Sequence, residues 1–161
     1  MHTYLPENLT ISSPVFKHGG LIPEQYSCEG EHTNPPFKID GIPAEAETIV
    51  LVMEDIDAPN NIFDHWIIWN LNTRSTIEEK RIKGDCLKNN YNSNAYINPC
   101  TTFGIHRYSF KLYVLDAVLE ANDTTGKETL LQSMMGHIIA KTEMMGRYQR
   151  QYERVQNIAV A

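Results

Sequence analysis

Apolar runs of strand length, separated by turn residues, recur along the chain. Thr10 to Phe16 is a short run of β-forming residues. Thr48 to Glu54 is a continuous run of β-branched and long apolar side chains, which predicts a strand buried on both faces. His65 to Leu71 predicts a second such strand. The period of two is clearest further on. His106, Tyr108, Phe110, Leu112 and Val114 point one way, and Arg107, Ser109, Lys111 and Tyr113 the other. Ile139 to Tyr148 predicts a last strand. Gly19-Gly20, Pro35-Pro36, Gly41 and Pro43 punctuate the loops between the early strands. From Lys88 to Pro99 the asparagines at 89, 90, 92, 94 and 98 predict a long irregular loop, a type that usually carries function.

One segment switches to helical spacing. Thr125 with Glu128 three residues later forms a capping-box pattern, which makes Thr125 the expected N-cap. Leu130, Leu131, Met134 and Met135 then form one apolar face, with the methionines as core filler, and Gly136 stops the helix. Strands separated by turns, with one short C-terminal helix, predict a mostly β protein: an antiparallel β-sandwich forming a single domain over 1–161.

Charge and composition narrow the function classes. The net charge is -6, and the 14 Lys and Arg are scattered, the densest stretch being Lys80 to Lys83. Neutralising phosphate backbones requires clustered cations, so nucleic acid is not an expected partner. Adsorption to anionic membranes is disfavoured for the same reason. No apolar run approaches the roughly 20 residues that cross a bilayer. The N-terminus lacks a basic stretch followed by an apolar one, so no secretory leader is read there. Three cysteines (Cys28, Cys86 and Cys100) are an odd number with no paired spacing. Together these predict a cytoplasmic protein with three reduced thiols and no native intrachain disulfide, Cys28 and Cys100 lying near loops and able to pair on oxidation in air. The sequons at Asn8 and Asn122 are then chance matches.

Titratable side chains gather where strands begin or end. Asp55 and Asp57 follow the first buried strand, His65 opens the second, and His106 and Tyr108 open the long one. If those strands are neighbours, Asp55, His65, His106 and Tyr108 converge at one end of a sandwich, where loops form sites. The same residues also fit a plain reading, in which the aspartates are solvated turn residues and the histidines half-buried strand ends. Two histidines and a carboxylate are also a zinc set, although the spacing is not that of a helical zinc motif. No nucleophile elbow is present, and neither Cys28 nor Cys100 has an adjacent histidine to activate it.

Five stretches resemble the phosphatidylethanolamine-binding protein family, also called the Raf kinase inhibitor protein family, in its bacterial and archaeal branch. They are Phe16 to Asn34-Pro35-Pro36 with Ile22-Pro23, Tyr26 and Cys28-Glu29-Gly30; Asp55-Ile56-Asp57-Ala58-Pro59; His65-Trp66 to Asn70-Leu71; Gly104-Ile105-His106-Arg107-Tyr108; and Gly136-His137 through Gly146-Arg147-Tyr148. Their order and spacing agree over roughly 9–150. The resemblance implies a β-sandwich with a small pocket at one end for phosphate or phosphorylated lipid head groups, without catalysis or a cofactor. Matched residue by residue, Asp55, His65, His106 and Tyr108 are the ligand-binding set. Asp57, Pro59, Arg107, Tyr96 and Pro99 are supporting, with Asp57 and Arg107 as an ion pair bracing the loop. Ile56, Thr101 and Thr102 stand where the branch has prolines, Asn98 stands for a glycine, and Phe63 is the aromatic replacement near the pocket. The pocket wall is therefore expected to be altered. His137 is expected to have a packing or helix-end role. A homodimer is the expected assembly, and regulation of a kinase or another protein is allowed, with no partner named by the sequence. The alternative class is a hydrolase using Asp55, His65 and His106 with water or a metal.

Overall fold

A computed structural model describes residues 8–31, 33–79, 85–86, 96–101, 103–122, 125–151 and 153–154. The described strands are β1 (Thr10–Ser12), β2 (Phe37–Asp40), β3 (Thr48–Asp55), β4 (Phe63–Leu71), β5 (Thr76–Ile77), β6 (Asp85–Cys86), β7 (His106–Leu115) and β8 (Ile138–Tyr148), with helix α1 (Lys127–Met134) before the last. They form two antiparallel sheets, β1-β2-β5 and β6-β4-β3-β7-β8. The protein is the mostly β sandwich that the sequence predicts.

The continuous apolar run of β3 follows from its central place. Ile49, Leu51 and Met53 face the small sheet and join Ile11, Phe37, Ile39, Phe110 and Leu112 in the main core. Val50 and Val52 face the other way and pack with Ile67, Trp69, Leu130 and Met134 beneath α1. Burial on both faces leaves no solvent-facing positions to be polar. The main core is closed by Phe37 against Phe110, ring centroids 4.9 Å apart. β8 lies beside β7 and carries Gly146 opposite Tyr108. A side chain at Gly146 would put its Cβ 2.7 Å from Ile22 and 2.8 Å from Phe16. The glycine is what lets the 16–22 loop lie on the sheet.

Several local expectations change. β1 ends at Ser12, not Phe16: Ser13 turns its hydroxyl to the carbonyl of Pro36, and Pro14 has no N–H to extend a ladder. Thr125 is not the N-cap of α1. Its hydroxyl accepts from the amide of Asn122, so Gly126 takes the cap position without a side-chain bond. The apolar face of the helix is narrower than its spacing suggests. Leu130 and Met134 are buried, whereas Met135 is 73% exposed, because the helix ends at Met134 and Gly136 adopts a positive φ of 82°. The basic stretch 80–83 and the loop over 88–95 lie outside the described residues. No described helix is long and apolar enough to cross a membrane.

Candidate functional site

The site forms where β3 ends and β4 and β7 begin. Asp55 is the last residue of β3 and pairs with Tyr108 on β7, which brings it beside His106. Asp55 Oδ2 lies 2.7 Å from His106 Nδ1, both groups being largely buried. Since a carboxylate only accepts, Nδ1 carries the proton, and Nε2 is the ring nitrogen left to act on a ligand. Asp55 Oδ1 accepts from the amide of Asp57 at 2.9 Å, a local turn that holds the carboxylate still.

His65 reaches the same place through a defect in the ladder. Met53 pairs with Trp66, but Glu54 pairs with Asp64, so His65 is an extra residue on β4. Strict alternation would place it on the side of Ile67, away from the site. The bulge re-aims it, as bulges beside functional sites often do. Its ring lies 5.0 Å from Phe63 and 5.3 Å from Tyr108, edge-on to both. His65 Nδ1 donates to the carbonyl of Ile97 at 2.8 Å, which fixes the tautomer. Burial lowers its pKa below the ordinary 6.5, outweighing the Ile97 carbonyl and the nearby Asp55 and Asp64 charges that raise it. At His65 desolvation outweighs the carboxylate neighbours, and the ring is neutral at neutral pH.

Between these groups lies a cavity of about 460 Å³, within the range of small-molecule sites. Asp55, His65, His106 and Tyr108 all line it, with Asp57, Ala58, Pro59 and Phe63 from one side and Asn98, Cys100, Thr101 and Phe103 from the other. Among the supporting residues, Asp57 and Arg107 meet as expected. Asp57 Oδ2 accepts from the Arg107 amide at 2.8 Å and Nε at 2.9 Å, and Oδ1 from Nη2 at 2.8 Å. Those bonds hold Asp57 at a pKa of about 2. Tyr96 and Pro99 stay outside the cavity. Tyr96 packs on Trp66 and donates to the carbonyl of Tyr26, and the Pro99 carbonyl accepts from the Cys28 amide. His137 pairs with Asp116 on the surface, Nδ1 to Oδ1 2.9 Å. Among the described residues no group of three or more His, Cys, Asp and Glu is placed to hold a metal ion.

The cysteine expectation is overturned. Cys28 and Cys100 form a disulfide that joins the 23–30 segment to the cavity wall. Closing a loop of 72 residues stabilises by about 4 kcal/mol in the chain-entropy account. The fold sets the two residues 5.3 Å apart between Cα atoms, well inside bridging distance. An odd count without paired spacing cannot reveal such a contact. A disulfide removes the ground for expecting a reducing compartment. Phe103 was also invisible to pattern reasoning: it is a lone aromatic in a loop, 76% exposed at the cavity mouth.

The sequence profile of the phosphatidylethanolamine-binding protein family matches residues 12–149, and the chain belongs to that family. A UPF0098 protein of Methanothermobacter thermautotrophicus is 35% identical over 150 residues, which are 88% of this chain and 99% of that protein. One from Chlamydia muridarum is 36% identical over 149 residues, 88% and 99% of the two chains. The crystal structure of a phosphatidylethanolamine-binding protein homologue from Chlamydia trachomatis superposes with a TM-score of 0.86. It is 36% identical, over 91% of this chain and all of that one. E. coli YbcL, at 20% identity and a TM-score of 0.79 over 89% and 99% of the chains, shares the fold. The protein is thus a member of the bacterial and archaeal group.

Proposed function

We propose that the cavity binds a small phosphorylated ligand, without catalysis, through His106 and Tyr108, with His65 joining them as a donor once its ring takes up a proton. The Asp55–His106 bond at 2.7 Å carries this reading. It holds one imidazole nitrogen inward and leaves the other facing a cavity of ligand size. Once charged, that imidazole gives a phosphate oxygen a charge-assisted donor, and the Tyr108 hydroxyl gives a neutral one. Asp55 disfavours a bare anion unless His106 is charged, but it suits a ligand that also carries an ammonium group, such as a phosphoethanolamine head group. Phe63, Pro59 and Phe103 at the mouth add apolar surface for an organic substituent. Calorimetric titration with phosphate and with phosphoethanolamine tests the reading. Replacing His106→Ala removes a charge-assisted bond, so affinity falls about ten- to a hundredfold. Unchanged affinity in a folded His106→Ala protein would place the ligand elsewhere.

A second reading has one observation in its favour. A carboxylate bonded to Nδ1 of a histidine is also how a general base is oriented. Phosphoester turnover that disappears in His106→Ala would make the site hydrolytic.

A further inference from the structure

We propose that the Cys28–Cys100 disulfide is a thiol-responsive latch on the ligand pocket: opened by a dithiol reductant, it releases the wall formed by residues 96–101 and weakens ligand binding. The proposal rests on the pocket reading above. Three observations distinguish this disulfide from a purely structural cross-link. Cys100 is exposed and lines the cavity itself, beside Asn98 and Thr101. The guanidinium of Arg150 donates to Cys100 Sγ at 3.2 Å. A cation there attracts an incoming thiolate and stabilises the one that forms. Finally, the wall has few other ties to the 23–30 segment. Those described are the Cys28 amide to the Pro99 carbonyl at 3.1 Å and the Tyr96 hydroxyl to the Tyr26 carbonyl at 2.8 Å.

The exchange balances without further reactants. A thiolate of the dithiol attacks Cys100 Sγ, the S–S bond breaks, and Cys28 leaves as a thiolate and takes a proton. The second thiol of the reductant then attacks the mixed disulfide, closes the reductant's own disulfide and frees Cys100. Two electrons pass from the dithiol to the protein. What changes at the pocket is preorganisation. The wall bonds His65 on both sides, its carbonyl at Ile97 accepting from the ring and its amide at Ile97 donating to the His65 carbonyl. A wall free to move no longer fixes that ring, and ligand binding must order it again.

The experiment compares the oxidised protein with the same protein treated with dithiothreitol, following thiol count, amide exchange and phosphate affinity together. Two thiols should appear under native conditions. The Ile97 and Cys28 amides should exchange faster while Leu51 and Leu112 in the core stay protected. Phosphate affinity should fall about tenfold, or about 1.4 kcal/mol. Cys28→Ser should match the reduced protein and ignore dithiothreitol. Three results overturn the latch: a disulfide that is reduced only in denaturant, core amides that lose protection together with the wall, or wall amides and affinity unchanged after full reduction. If even the oxidised protein binds no phosphate, the pocket reading fails. The latch is then decided by the exchange of Ile97 and Cys28 alone.

Discussion

Glu54 and Asp55 are consecutive carboxylates on one strand, and they serve opposite purposes. Alternation sends Glu54 to the helix-covered face and Asp55 to the sandwich end. Glu54 sits between two ammonium groups, Lys111 at 2.9 Å and Lys127 at 2.7 Å, and Lys127 also reaches Asp64. Burial pushes its carboxyl up, but the hydrogen bonds and charges of the two lysines win and hold it below its ordinary value. Asp55 is as buried, yet the side chain its carboxylate pairs with is a histidine, His106. A carboxylate between lysines is locked at physiological pH. A carboxylate bonded to Nδ1 of an imidazole orients that ring and leaves its second nitrogen to the cavity. The partner, not the burial, separates a structural charge from a functional one.

The largest effect follows from breaking the first cluster. Glu54→Gln leaves Lys111 and Lys127 facing a neutral amide. Removing one member of a buried pair costs about 3–5 kcal/mol. The lysine side chains are 36% and 28% exposed, which reduces the expected loss to about 2–4 kcal/mol. Chemical denaturation should show that loss, with phosphate affinity within twofold of the parent. A large change in affinity would mean that the two faces of β3 are not independent.

How much of this was legible in the sequence depends on whether a residue obeys alternation. The core of β7 could be read directly, because Tyr108, Phe110, Leu112 and Val114 keep a period of two and all face the main core. The doubly buried β3 could be read from its lack of any period. The convergence of Asp55, His106 and Tyr108 could be read too, once β3 and β7 are neighbours. His65 could not be placed by pattern, because it faces the cavity only through an inserted residue, and a bulge leaves no mark in alternation. The disulfide and Phe103 were also hidden. Both depend on loops whose meeting is decided by tertiary packing, not by local spacing.

A smaller effect sharpens the same contrast at the rim. Asp57 is a charge paired like Glu54 but only half-buried, with Arg107 more than half accessible. Surface pairs contribute little, and this one gains from its forked geometry and from tying the 55–59 turn to β7. Asp57→Asn should lower Tm by about 2–4 °C. Its folded pKa of about 2 lies below the ordinary 3.8, so the contribution is present above pH 3.8 and is lost as pH falls towards 2. Thermal melts at pH 7 and pH 2 should therefore differ less between parent and variant at the acid end.

The finest test uses acid to separate the two faces of β3 in a single protein. His65 and Glu54 both have folded pKa values below their ordinary ones, for opposite reasons. At His65, burial disfavours the charged imidazolium. At Glu54, the lysines favour the charged carboxylate. In both cases the unfolded chain binds protons that the folded one refuses, so stability falls as pH falls through each window. The windows differ. The His65 step begins near 6.5, where the unfolded histidine titrates, and ends at its lower folded value. The Glu54 step begins near 4.5. A denaturation series from pH 7.5 to 3.5 should therefore show two separate declines. His65→Gln should flatten the first and leave the second, and Glu54→Gln should do the reverse. Sulfate, which keeps its charge over the whole range, then reports on the site alone. Its affinity should rise as His65 takes up a proton below pH 6.5, and that rise should survive in Glu54→Gln and be smaller in His65→Gln. A single decline that either substitution removes would show the two faces titrating as one unit.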